Sequence, residues 1–160
     1  MDKLLKILSE NSEFTLKELS SILDEPEDYI RAQIKEYETN GVIKGYKALI
    51  NWEMIPDPGV TAIIELKVAP KKETGFDELA ELITGFEEVE SVYLMAGGYD
   101  LSITVKGDTI QQVASFVSRR LSTLDGVLST ATHFMLKRYK DGGVPLLDTD
   151  KSADKRSIIL

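Results

Sequence analysis

From Ala62 to Tyr139 the apolar residues change period in an order that few folds accommodate. Ala62, Ile64, Leu66 and Val68 recur every second residue, which predicts a strand with one apolar face, ending at Pro70. Phe76, Leu79, Leu82, Ile83 and Phe86 then recur at helical spacing, with Thr74 as the expected cap. Val89 to Ala96 and Leu101 to Lys106 read as strands joined by a turn at Gly97 to Asp100. Asp108 is placed to cap a helix carrying Ile110, Val113, Val117, Leu121 and Leu124, and Asp125-Gly126 breaks it. Val127 to Tyr139 predicts a long final strand. The order β-α-β-β-α-β is a split βαβ layout, an antiparallel sheet with two helices on one face. Ile63, Ile103 or Ile64, Leu101 and Val105 are not expected to face the helices all together. The opposite face is therefore expected to need cover from a partner subunit.

The first fifty residues carry three shorter helical patterns. Leu4, Leu5, Ile7 and Leu8 form a stripe that stops at Ser9-Glu10-Asn11. Thr15-Leu16-Lys17-Glu18 has capping-box spacing, followed by Leu19, Ile22 and Leu23. Pro26 suits the first turn of a third helix bearing Ile30, Ile34 and Tyr37 and closed by Asn40-Gly41. Only Asp24 and Glu25 separate the second and third helices, which forces a sharp crossing of helix-turn-helix type. Val42 to Ile50 reads as a short extended segment, residues 51–59 with Pro56 and Pro58 as a linker, and residues 141–160 as a polar tail ending in Ile158-Ile159-Leu160.

Charge complicates a nucleic-acid role. The net charge is −8, and residues 1–58 hold 7 Lys/Arg against 12 Asp/Glu. Phosphate neutralisation normally asks for a basic face. The absence of cysteine excludes a disulfide framework and thiolate metal sites, and fits a reducing interior. No run is apolar enough for a membrane span or a signal peptide core, so a cytoplasmic location is the expectation.

The turn Gly97-Gly98-Tyr99-Asp100 has chemistry of its own. Glycine admits positive φ and close approach of another molecule. An aspartate beside free main-chain N–H groups suits a small zwitterion: the carboxylate takes an ammonium, the N–H groups a carboxylate. The competing reading is a simple turn in which Asp100 caps local backbone groups.

Several stretches together resemble the Lrp/AsnC, or feast/famine, regulators over roughly residues 1–140. They are Glu38-Thr39-Asn40-Gly41-Val42-Ile43-Lys44-Gly45-Tyr46, Gly97-Gly98-Tyr99-Asp100, and Asp125-Gly126-Val127 with Thr130 and Thr132. The resemblance implies an α+β chain: a winged helix-turn-helix over 1–50 that binds double-stranded DNA, and a ferredoxin-like βαββαβ effector domain over 60–140. It also implies homodimers that assemble into octamers or similar discs, and an amino-acid effector bound between dimers. Carried over, Gly98, Tyr99 and Asp100 line the effector pocket, with Thr132 and Thr130 beside them. Asp100 then takes the α-ammonium.

The third helix departs from the family pattern, which places several arginines along it. Its free face here offers Asp28, Tyr29, Arg31, Ala32, Gln33, Lys35 and Glu36. Arg31 suits guanine or phosphate and Gln33 suits adenine, with Tyr29 beside them. Lys35, Lys44 and Lys47, with Thr15 and Lys17, are candidate phosphate contacts. Asp24, Glu25, Glu27 and Asp28 at the leading end oppose them. The bland alternative has Arg31 and Lys35 pair with Glu27 and Glu38 or simply solvate a face.

Two other classes compete with this reading. One histidine, His133, and no cysteine give no convincing metal cluster and argue against an enzyme; no cofactor is expected. A partner subunit that senses an effector without reading DNA would explain the acidic front half, and salt-dependent retention on DNA discriminates it.

Overall fold

The computed structural model describes residues 2–69 and 75–147. Thr74, Pro70 and the apolar C-terminal residues singled out above lie outside them. The chain divides into two units, one of residues 1–50 with 140–145, the other of residues 51–139 with 146–160.

The first unit holds α1 (Lys3–Glu10), α2 (Leu16–Leu23) and α3 (Glu27–Thr39). Asp2 caps α1 by accepting from Leu5 N at 3.0 Å. The capping box opens α2 as read: Glu18 N donates to Thr15 Oγ1 at 3.3 Å, and Thr15 N donates to Glu18 Oε2 at 2.7 Å. Leu4, Leu19 and Ile30 form the buried centre, with Ile34, Tyr37 and Leu23 packed around it. Gly41 ends α3 with φ +70°. Val42 N reaches Tyr37 O at 2.8 Å and Gly41 N reaches Glu38 O at 3.1 Å, the double closure that requires a left-handed residue here. Residues 42–50 form no strand. The two-stranded ladder in this unit is instead β5 (Lys140–Asp141) with β6 (Val144–Pro145). The segment read as the start of a tail thus contains a hairpin, because Gly142 (φ +49°) and Gly143 (φ +83°) supply the two positive-φ positions of a tight turn.

The second unit is the βαββαβ layout. Its elements are β1 (Val60–Val68), α4 (Asp77–Thr84), β2 (Val89–Leu94), β3 (Leu101–Gly107), α5 (Ile110–Phe116) and β4 (Val127–Phe134). The antiparallel sheet runs β2-β3-β1-β4. The pairing Ala62↔Val105, Ile64↔Ile103 and Leu66↔Leu101 puts all six on one face, where each is at most 1% exposed. Ile83 of α4 and Val113 and Phe116 of α5 cover them. Of the set expected not to face the helices all together, Ile64, Leu101, Ile103 and Val105 do face them and Ile63 does not. Antiparallel register aligns even positions of β1 with odd positions of β3. Thr61, Ile63, Glu65 and Lys67 take the other face, and Ile63 is 38% exposed.

Element ends also differ from expectation. Thr109, not Asp108, caps α5, accepting from Gln112 N at 3.1 Å; Asp108 N donates to Gln112 Oε1 at 2.6 Å. Phe76 is the N-cap residue of α4. After Phe116 the helix widens into a π turn over Val117–Leu121 that keeps Leu121 buried before the Asp125-Gly126 break. Strand β2 stops at Leu94 because Met95 N turns to Asp100 O, at 2.8 Å. Strand β4 stops at Phe134, opposite Ala62, since β1 starts only two residues earlier.

Candidate functional site

In the first unit the turn between α2 and α3 is fixed by its own polar atoms. Asp24 is left-handed (φ 56°, ψ 42°). Ser20 Oγ donates to Glu25 O at 2.6 Å, and Glu25 N donates to Ser20 O at 3.3 Å. Pro26, which has no N–H to satisfy, precedes the first residue of α3. With Ile30, Ile34 and Tyr37 turned to the core, helical geometry sends Asp28, Arg31, Ala32, Lys35 and Thr39 to the opposite side. Arg31 and Lys35 sit one turn apart and are exposed. Among the described residues neither forms an ion pair, so of the alternative reading the pairing with Glu27 and Glu38 is not seen, while a solvated face fits their exposure. Glu38 instead accepts from the Tyr46 hydroxyl at 3.0 Å, holding residues 42–50 against the end of α3.

Gln33 and Tyr29 occupy the other flank. Gln33 is half-buried, donates to Glu36 Oε2 at 3.3 Å, and lines a recess with Tyr29, Asp2 and Lys3. The structure thus brings Arg31 and Lys35 together and sets Gln33 and Tyr29 apart from them. Lys17 and Lys47 are exposed, and Lys44 folds back towards Gly41, where an added Cβ would lie 2.8 Å from its Nζ. The Thr15 hydroxyl donates to Glu18 Oε2 at 2.8 Å, so its first duty is the cap. That bonding holds the Glu18 carboxyl below its ordinary range. The acids Asp24, Glu25, Glu27 and Asp28 are all exposed.

In the second unit Asp100 sits where β3 begins. Its N–H donates to Leu66 O at 2.8 Å, and its Oδ2 accepts from Val68 N at 2.8 Å. The carboxylate therefore closes the end of the β1–β3 ladder. Val68, the residue that holds it, was missed in the sequence; the strand-end position of a buried valine is the only signal it gives. The other carboxylate oxygen has no partner among the described residues. Thr130 lies across from Leu66 on β4, its Oγ1 3.5 Å from Ser122 Oγ, and Thr132 lies across from Ile64. Thr130 and Thr132, paired with Leu66 and Ile64, share the helix-covered face with them, so the structure does not bring them to the open turn beside Asp100.

The glycine pair behaves differently from expectation. Neither Gly97 nor Gly98 takes a positive φ, and a Cβ added at either meets nothing within 4 Å. The N–H groups of Gly97, Gly98 and Tyr99 have no partner among the described residues. Nothing in this chain's backbone demands glycine there, so the open surface is the feature that remains. Tyr99 is half-buried beside it. No described group of three or more His, Asp or Glu residues is placed to hold a metal, and His133 lies 3.6 Å from Glu65 on the helix-free face.

Comparison with known proteins agrees with this layout. Residues 61–145 match the family model of the Lrp/AsnC ligand binding domain. An uncharacterized HTH-type transcriptional regulator of Bacillus subtilis (strain 168), YugG, is 46% identical over 98% of this chain and 94% of its own length. The HTH-type transcriptional regulator FL11 of Pyrococcus abyssi is 29% identical, covering 87% of this chain and 89% of its own. Among solved structures, the Neisseria meningitidis transcriptional regulator NMB0573 in complex with L-Met superposes with a TM-score of 0.68 at 25% identity, covering 88% of this chain and 93% of that one. Escherichia coli AsnC shares the fold, with a TM-score of 0.64 at 20% identity over 86% of this chain and 93% of its own. On the family match and the extent of the Bacillus similarity, this chain belongs to the Lrp/AsnC family of transcriptional regulators.

Proposed function

We propose that this protein is a sequence-specific DNA-binding regulator that responds to an amino acid through a change in its oligomeric assembly. The observation that carries the reading is the exposed Arg31–Lys35 pair on the outward side of α3, which forms no ion pair among the described residues. Two cations one turn apart suit a base edge and a neighbouring phosphate. Thr15, Lys17, Lys44 and Lys47 add backbone contacts, and Gln33 and Tyr29 contribute from the flank. Four acids at the leading end keep the affinity of each subunit low, and paired subunits raise it through effective concentration. An amino acid docks over Gly98 and Tyr99. Its ammonium meets the second carboxylate oxygen of Asp100 and its carboxylate the turn N–H groups, with Thr130 and Thr132 on the helix-covered side of the same strands. Bound between homodimers, it favours one assembly, such as an octamer, over another.

The test is fluorescence anisotropy on a promoter fragment at several salt concentrations. Arg31→Ala with Lys35→Ala should abolish the shift at moderate salt and lower the salt slope by about 2, since each phosphate contact contributes roughly 0.9. Oligomer size by light scattering should not change. A double variant that binds like wild type removes α3 as the reader. The exposed acids favour a second reading, an effector-binding partner subunit with little DNA affinity of its own. Wild type with no salt slope at all selects it.

A further inference from the structure

The buried face of α5 runs through Val113, Phe116 and Val117, each at most 8% exposed. Continued as an α-helix, that face next falls at position 120, four residues after Phe116 and three after Val117. An arginine stands there. The helix instead widens over Val117–Leu121, and Ser122 N donates to Val117 O at 2.8 Å, the π spacing. The extra residue in the turn brings Leu121, 0% exposed, onto the core position. It also moves Arg120 to the rim, where its side chain is 48% exposed. There the guanidinium lies 4.4 Å from the centre of the Phe86 ring and 5.6 Å from that of Phe116, and its Nη1 donates to Glu88 Oε1 at 2.8 Å. Glu88 turns inward to meet it, its Oε2 buried with no partner among the described residues. Thr123 Oγ1 closes the end of the turn, donating to Arg120 O at 3.0 Å and Arg119 O at 3.1 Å.

We propose that the charge of Arg120 selects the wide register, which makes the end of α5 a two-register element with Arg120 as its positioning residue. A guanidinium taken into an apolar core costs more than one widened turn, so the chain widens. Glu88 orients the cation once it is on the rim and does not choose the register. The choice has an outlet on the edge strand β4, where Ser122 Oγ lies 3.5 Å from Thr130 Oγ1. Closing to an α turn shifts the residues after Val117 by about one position, roughly 100° of rotation. Leu121 then leaves the core and Ser122 leaves Thr130. The element lies wholly within the second unit and depends on neither DNA nor effector.

The sequence has no cysteine, so a single introduced thiol reports burial. Leu121→Cys in the full-length protein is labelled with iodoacetamide and followed by mass spectrometry. Ile83→Cys, at another position 0% exposed in the same core, is the reference for general loosening. With Arg120 native, the thiol at position 121 should react slowly. Arg120→Leu should speed its labelling by about tenfold or more, while the thiol at position 83 keeps its rate. Arg120→Met, whose unbranched chain suits core or rim, carries the same expectation should Arg120→Leu not fold. Arg120→Lys keeps the charge and should leave both thiols slow, and so should Glu88→Gln. Equal acceleration at positions 121 and 83 means loosened packing and overturns the proposal. So does an unchanged rate at position 121 with an apolar residue at 120, or acceleration there by Arg120→Lys or Glu88→Gln.

Discussion

Asp100 carries a structural bond and a proposed ligand bond on one carboxylate, and two substitutions separate them. Asp100→Ala removes the acceptor for Val68 N, a donor on a residue only 5% exposed. Leaving such a donor unsatisfied costs about 1–3 kcal/mol. A central loss of about 2 kcal/mol lowers the melting temperature of a unit this size by on the order of 10 °C. Asp100→Asn keeps an acceptor oxygen but loses the charge, which roughly halves the strength of the bond. It should cost about 1 kcal/mol and a drop of a few degrees. Differential scanning fluorimetry with and without methionine and the other amino acids reads both roles. Wild type should gain up to about 2.7 kcal/mol at a hundredfold excess over Kd. Both variants should lose that gain, since neither offers an anion to the ammonium. Equal melting temperatures for the Ala and Asn variants would refute the structural argument. A full ligand-induced rise in Asp100→Asn would refute the ligand argument while leaving the structural one intact.

Other expectations follow from the first unit. Thr15→Ala should lose about 1 kcal/mol, read by urea unfolding, and Glu18→Ala on top should add little because the two share one cap. Backbone and hydroxyl bonds from Thr15 lower the Glu18 carboxyl from its ordinary 4.5, and bonds from Leu5 N and the Tyr37 hydroxyl lower Asp2 from 3.8. The stability they give is complete above those ordinary values and is lost as pH falls through the lowered ones. The Asp2 bond raises Tyr37, and burial with the Glu38 bond raises Tyr46, both from 10.0, so their contribution is complete below that value and lost as pH climbs through the raised ones. Helix content against pH should therefore fall at both ends, first below 4.5 and again above 10.0; a flat acid limb would discount the caps. Asp24 is left-handed, so Asp24→Asn should hold stability within about 0.5 kcal/mol while tightening DNA binding, whereas Asp24→Val should cost about 1–2 kcal/mol.

Periodicity carried most of the fold. Even positions of β1 and the helical spacing from Ile110 to Leu121 need only local sequence to be read. Which residue of that set takes the opposite face is not legible locally, because it depends on which residues pair. Once Ile64 meets Ile103, the whole β3 face is determined, and no single-strand pattern contains that register. Caps were legible where the partner is three residues on, as with Thr15 and Glu18. They were misread where two adjacent candidates compete: Thr109 takes the Gln112 N–H and Asp108 gives its own N–H to the Gln112 side chain. The hairpin at 140–145 was missed although Asp141-Gly142-Gly143 is a strong turn signal, because its strands are two residues long and show no alternation. At the candidate site the sequence named Asp100 but not Val68, since a main-chain donor has no residue signature.

The two duties of Asp100 also suggest how an effector reaches the rest of the sheet. Val68 N holds one carboxylate oxygen, and Val68 is where the β1–β4 register shifts, between Lys67 and Val68. In the proposed site an ammonium on the other oxygen would draw charge away from the Val68 bond, and a ligand carboxylate on the turn N–H groups would pull the β2–β3 turn towards it. Both forces act on the same rung, where Leu66 joins Asp100 to Thr130. Strand β4 is the edge strand next to β1, so it is the part of the sheet free to follow. A ligand that favours one position of that edge by 1.4 kcal/mol shifts the ratio of two states about tenfold.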